Sequence, residues 1–184
     1  MKNIAVIYRS RYGSTKKYAQ WLSKQFECEL FETAHIKAED LLKYDTIVFG
    51  GGLYAGGING IAVITKNFEQ IKDKNLIVFT VGLASTDDPT IFKPIIDKNL
   101  TKEMQAHIAF FHLRGGIDYS KLGPVHKVMM GMLKKMVQNK KELSDEDSLM
   151  LSTYGGRIDF ADEASTQPLV SYVREINKTS KQRD

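Results

Sequence analysis

The chain has 184 residues, 42% of them apolar and 26% charged, enough for one packed domain and short for two. Its formal charge is +4, with a pI near 9.0. There is no basic run interleaved with aromatics and no groove-reading motif, which argues against nucleic acid and for an anionic small molecule or an acidic membrane surface as partner. No apolar run reaches the roughly 20 residues of a membrane span, no signal-peptide pattern opens the chain, and the single cysteine, Cys28, has no internal disulfide partner. A cytoplasmic protein is expected.

Residues 3–8, NIAVIY, form a continuous apolar run, the pattern of a strand buried on both faces of a parallel sheet. From Thr15 onward, Tyr18, Ala19, Leu22 and Phe26 recur at helical spacing. ECELFE (27–32) alternates, predicting a strand nearer the sheet edge with Cys28 as a buried structural thiol. DTIVFG (45–50) and NLIVFTVG (75–82) are again buried runs, and Ile61, Ile64, Thr65 and Phe68 make a helical face between them. In TDDPTIFKPIID (86–97) an Asp before Pro89 marks a helix start. HIAFFHLRGG (107–116) predicts a fifth strand on which His107 and His112, five apart, face opposite ways and share no metal.

The segment LGPVHKVMMGMLKKMVQ (122–138) predicts a helix with Val125, Val128, Met129, Met132, Leu133, Met136 and Val137 on an apolar face. His126, Lys127, Lys134 and Lys135 fall on the other face, and NKKELSDEDS (139–148) reads as a solvated charged loop. After Pro168, Leu169, Val170, Val173 and Ile176 define a last helix with Thr166 as a cap; 178–184 read as a frayed tail. The alternation predicts a single α/β domain over 1–177, a parallel sheet with helices on both faces, and an extra amphipathic helix and charged loop at about 117–150. Right-handed crossovers place residues 9–15, 50–57, 82–88 and 113–120 together on one sheet edge, where ligands of such folds bind.

Of these, Ser10–Thr15 (SRYGST) has two readings. Three hydroxyls, one glycine and a helix N-terminus describe a metal-free phosphate cradle, and equally an ordinary capped helix start. The Walker spacing is absent. In GGGLYAGG (50–57) a loose G-x-G-x-x-A match follows the third strand rather than the first, so Tyr54 reads either as a flat face offered to a flat ligand or as an exposed ring in a glycine-rich turn. GLASTDDP (82–89) offers backbone contacts to a ring, or simply caps the next helix. Arg114 is placed to reach a substrate carboxylate or the edge of a bound cofactor, or to stand as a plain surface residue. There is no nucleophile elbow and no acid–base pair, which suits chemistry carried by a cofactor.

Taken as one pattern, Val6-Ile7-Tyr8-x-Ser10-x-x-Gly13-x-Thr15-x-x-x-Ala19-x-x-Leu22 resembles the flavodoxin signature at every constrained position. The resemblance implies a flavodoxin-like three-layer sandwich with a five-stranded parallel sheet in order 2-1-3-4-5 and FMN at the loop edge. Ser10, Arg11, Tyr12, Gly13, Ser14 and Thr15 would hold the FMN phosphate. Leu53, Tyr54, Ala55 and Gly56, with Gly82, Leu83, Ala84 and Ser85, would flank the isoalloxazine. Electron-carrier flavodoxins are acidic and lack the Met-rich basic helix; LRGGIDYSKLGPVHKVMMGMLKKM (113–136) is more similar to the flavodoxin-like, menaquinone-dependent protoporphyrinogen oxidases.

That second resemblance implies a small-molecule reductant, a quinone acceptor, and peripheral contact with the inner face of a membrane through the 124–138 helix, which otherwise packs on the domain. Arg9 and Arg11 beside the phosphate loop are expected to stabilise the anionic hydroquinone and raise its potential. The alternatives are a one-electron carrier between redox proteins and a non-catalytic flavin-binding regulatory module.

Overall fold

A computed structural model describes residues 3–179. In chain order it contains β1 (Ile4–Arg9), α1 (Ser14–Phe26), β2 (Glu29–Glu32), α2 (Ala38–Leu41), β3 (Thr46–Tyr54), β4 (Gly57–Ile58), α3 (Ala62–Thr65), α4 (Phe68–Ile71) and β5 (Asn75–Gly82). It continues with α5 (Lys93–Asn99), α6 (Lys102–His107), β6 (Ile108–Arg114), β7 (Gly116–Asp118), α7 (Pro124–Gln138), α8 (Asp145–Thr153), β8 (Arg157–Asp159) and α9 (Gln167–Thr179).

The parallel strands lie in the order β2-β1-β3-β5-β6, which is the expected 2-1-3-4-5 among the parallel members. Because successive side chains alternate across a strand, the apolar runs feed both faces. Ala5, Ile7, Ile47, Phe49, Leu76 and Val78 pack on one face against Leu41, Ile64, Phe68 and Ile71 of the short helices. Val6, Tyr8, Val48, Ile77 and Phe79 pack on the other, against Tyr18, Ala19 and Leu22 of α1 and Leu169, Val170 and Val173 of α9. Among the described residues no helix is long and apolar enough to cross a membrane.

Several elements differ from expectation. β3 runs on through the three glycines to Tyr54 and turns back as β4, so 50–57 is the end of a strand and a hairpin, not a loop. Gly50 fits that strand because the ring of Phe79 occupies the place of a β-carbon, 2.1 Å from where one would stand. His107 closes α6, a short helix capped by Thr101, so only His112 sits on β6. There the His112 Nδ1 pairs with Thr80 Oγ1 at 2.6 Å and its ring stacks on Phe92 at 3.8 Å; burial pushes its pKa down to about 4.

The charged stretch 139–148 is not all loop: Ser144 and Asp147 form a reciprocal capping box that starts α8. β7 and β8 pair as a small antiparallel sheet beyond the parallel one. Thr166, just before α9, is buried and its hydroxyl donates to the Glu163 carbonyl at 2.7 Å. The last helix reaches Thr179, and the rest of the expected tail, 180–184, lies outside the described residues. Cys28 is half-buried, and burial raises its thiol to about 11, which leaves it protonated and unreactive.

Candidate functional site

The carboxyl edge of the sheet opens into a cavity of about 620 Å³, walled by the segment after β1, the β3–β4 hairpin, the end of β5, residues 115–117 and the inner side of α7. Its floor begins where β1 hands over to α1. Gly13, at φ 100°, takes a left-handed conformation that a side chain would strain, and its N–H donates to Ser10 Oγ at 3.1 Å. The first helical hydrogen bond runs from Lys17 N–H to the Gly13 carbonyl. The N–H groups of Ser14, Thr15 and Lys16 therefore precede the helical ladder, and no side chain caps them. The first turn carries no acidic residue. Uncapped donors at the positive end of a 13-residue helix suit an anion; the nearby Asp159 carboxylate is engaged by Lys17 at 3.3 Å.

The cradle is braced from the far strand. Ser14 Oγ accepts from Gly116 N–H at 3.1 Å, and Gly115 N–H donates to the Gly82 carbonyl at 2.6 Å. Tyr18, fully buried, donates to the Arg114 carbonyl at 2.7 Å and so ties α1 to the end of β6. Arg114 itself donates from Nε to the Leu83 carbonyl at 3.0 Å and lies over the Phe160 ring at 3.8 Å, so its role is to shape the β5 loop. Arg9 is drawn to Glu32 at 3.2 Å and does not line the cavity; of the two arginines only Arg11 does.

The opposite wall is the hairpin. Ala55 and Gly56 both have positive φ, 49° and 73°, which makes a two-residue primed turn matched to the strand twist. Asn99 clamps it from α5, accepting from Ile58 N–H and donating to the Gly56 carbonyl. Tyr54 is thereby held at the cavity rim, with the Arg11 guanidinium over its ring at 5.3 Å.

The cavity brings together Ser10, Arg11, Tyr12, Ser14, Thr15, Leu53, Tyr54, Ala55, Gly82 and Leu83. Gly13 and Gly56 set turn geometry and do not line it; neither do Ala84 and Ser85, and the Ser85 hydroxyl donates to Asp87 at 2.6 Å. Gly52 and Gly115–Ile117 belong to segments expected at this edge but not to the expected cofactor contacts; Ile58, Asn59, Gly60, Val81 and the α7 residues His126, Met129, Met130 and Leu133 line it unexpectedly. Spacing assigns His126 to the polar face, yet it is buried against the cavity, while Val125, Val128, Met132 and Met136 of the expected packing face are 62–68% exposed. The helix carries two apolar stripes, and spacing alone does not say which one is covered. The signal for the inner stripe was the 126, 129, 130, 133, 137 spacing.

These features define an α/β protein with uncapped helix N–H groups and an apolar, aromatic-rimmed cleft at the carboxyl edge of its sheet, an arrangement suited to a nucleotide-like flat cofactor. The sequence profile of the flavodoxin domain matches residues 5–144, and the chain belongs to that family; its cofactor is FMN. No curated protein matches the chain. Similar solved structures include the Trp repressor binding protein from Bacillus subtilis, at 20% identity over 61% of this chain and 83% of that one, TM-score 0.45. The WrbA-like flavodoxin from Agrobacterium tumefaciens matches at 17% identity over 91% and 99%, TM-score 0.43. The Flv1 flavodiiron core from Synechocystis sp. PCC6803 matches at 19% identity over 61% of this chain, TM-score 0.43, and the match spans only 30% of that core.

The residues present fit FMN. The uncapped N–H groups and the Ser10, Ser14 and Thr15 hydroxyls suit a phosphate without a metal, Gly13 leaves open space where a β-carbon would project, and Leu53, Tyr54 and Leu83 offer an apolar seat to a ring. When bound, FMN supplies reversible electron transfer.

Proposed function

We propose that the protein is an FMN-dependent oxidoreductase that takes electrons from a small reduced substrate of the protoporphyrinogen type and passes them to a quinone at the inner face of a membrane. The observation that carries this reading is α7. A carrier that meets other redox proteins needs an exposed cofactor edge, whereas here a 15-residue helix stands along the cleft with Met129, Met130 and Leu133 turned inward. An apolar wall of that kind suits a flat, apolar small molecule and keeps water from the reacting edge.

The chain's own groups have separable duties in this reading. The start of α1 binds the phosphate, Tyr54 and Leu83 orient the ring, and α7 excludes solvent. Arg11, with no salt-bridge partner among the described residues, favours the reduced, negatively charged cofactor by Coulomb attraction. The outer stripe of α7, Val125, Val128, Met132 and Met136, is bordered by Lys127 and Lys135, a combination suited to an anionic lipid surface.

Turnover tests the reading directly. The FMN-loaded protein is expected to oxidise a porphyrinogen with a quinone as acceptor, and to show a flavin potential above that of low-potential carriers. Reduction and reoxidation only by redox proteins, with a strongly low potential, would instead select the electron carrier. Vesicles containing phosphatidylglycerol are expected to sediment the protein at low salt and release it at high salt. Met132→Glu should abolish that sedimentation, and an unchanged vesicle interaction in this variant would remove the membrane from the proposal.

A further inference from the structure

One imidazole joins α7 to both walls of the cleft. His126 is 4% exposed, and its Nδ1 shares a hydrogen bond with the Tyr12 hydroxyl in the loop after β1. Its ring meets Tyr54 of the hairpin edge-on, centroids 4.3 Å apart at 84°, and Tyr12 likewise at 5.6 Å and 77°. One turn further along, Met129 Sδ accepts from the Tyr54 hydroxyl at 3.0 Å. Phosphate loop, ring hairpin and α7 are therefore one connected aromatic cluster whose central member is His126.

Elsewhere α7 is thinly held. Of its fifteen residues only His126 and Val137 are buried. At the C-terminal end, Val137, the Lys134 ammonium over the Tyr154 ring at 4.4 Å, and Lys140 on the Asp147 carboxylate at 2.8 Å tie the helix end to α8. At the N-terminal end, Gly123 precedes the helix with no side-chain cap and open space around its β-carbon position. The helix is fixed at one end and pinned at the other by the His126 cluster.

We propose that His126 is a positioning residue, a latch that holds α7 shut on the cleft through Tyr12 and Tyr54, and that FMN enters and leaves when this latch releases. The inference rests on the FMN reading of the cleft for its second half only; the latch itself is a property of the protein without cofactor. It assigns His126 a role through its neighbours and asks of it no contact with the reacting atoms.

Protonation works against the latch. The groups facing His126 are Arg11 and Tyr12 from the loop after β1, Tyr54 from the hairpin, and Met129 and Lys127 on its own helix; among the described residues no carboxylate pairs with it. Burial, and then the Arg11 charge, hold the imidazole below its ordinary 6.5. The closed state thus prefers the neutral ring. The neutral ring's contribution to closure is whole above about 6.5 and weakens as pH falls below that and through the lowered value.

Two variants test this without relying on a single fold. In cofactor-free protein, Tyr12→Phe and His126→Ala are expected to speed amide hydrogen exchange over 124–138 by about threefold to tenfold, with the central strands unchanged. His126→Asn, whose side-chain amide can pair with the Tyr12 hydroxyl in place of Nδ1, should recover part of the protection. With the intrinsic pH dependence of exchange divided out, protection over α7 should fall below pH 6.5 in the wild type and stay flat in His126→Asn. In stopped flow, both FMN entry and FMN release should quicken in the weakened variants, because a gate changes both rates. Unchanged exchange over α7 in both variants would overturn the latch, whatever the protein binds. Release quickened with entry unchanged would overturn the gating half and make His126 an ordinary cofactor contact.

Discussion

Glu27 ends α1 in the left-handed region, at φ 50°. Its N–H donates to the Lys24 carbonyl at 3.3 Å and the next residue's N–H to the Ser23 carbonyl at 3.1 Å, the paired bonds of a Schellman ending. That conformation suits glycine and costs a residue with a β-carbon about 1 kcal/mol. Glu27→Gly should therefore stabilise the protein by about 1 kcal/mol, a rise in Tm of roughly 2–4 °C for a chain of this size. Thermal unfolding of the two proteins side by side measures it, and a fall in Tm would show that the Glu side chain outweighs the strain. The position lies at the end of α1 remote from the cradle, so FMN affinity should not move.

At the scale of elements, legibility followed burial. β1, β3 and β5 were readable because strands covered on both faces need unbroken apolar runs, and such runs have few other uses. The β3–β4 hairpin was not, since three glycines in a row read as a turn; here Gly50 and Gly51 are forced by the Phe79 ring and by Ile58 crossing over the strand. α8 was hidden by its charged start, where an aspartate, Asp147, completes the capping box in place of the more usual glutamate. His126 was misplaced because a helix with two apolar stripes leaves its covered side undecided until the cleft is known.

The hairpin also makes its own prediction. Asn99 supplies an acceptor to the buried Ile58 N–H and donors to the Gly56 and Ile95 carbonyls. Asn99→Ala should cost about 2 kcal/mol in urea unfolding, because it strands a buried donor. It should also weaken FMN binding about tenfold by loosening Tyr54. Asn99→Asp, which keeps the acceptor and loses the donors, should fall between the two. A destabilised Asn99→Ala protein with undiminished FMN affinity would mean that the hairpin does not position the ring.

Over the whole molecule, the sheet separates two jobs. Its two faces hold the cores that stabilise the fold, and its carboxyl edge gathers residues far apart in sequence, Ser14 and Gly116 among them, into one cradle. The charge distribution follows the same division. Lys93, Lys102 and Lys140 are engaged by Asp97 and Asp147, Arg9 by Glu32 and Lys17 by Asp159, while Arg11 stands at the cavity and the first turn of α1 carries no acidic residue of its own. With a net charge of +4, the field at the cleft favours the approach of a phosphate dianion. FMN association should accordingly slow several-fold, about threefold to tenfold, between about 20 mM and 500 mM salt as the Debye length contracts. Riboflavin, with the same ring and no phosphate, should associate at a rate nearly independent of salt. Arg11→Gln should flatten the FMN dependence toward that of riboflavin. Equal salt slopes for the two flavins would place the phosphate outside the field of this cradle, and the assignment of Ser10–Thr15 would then fail along with it.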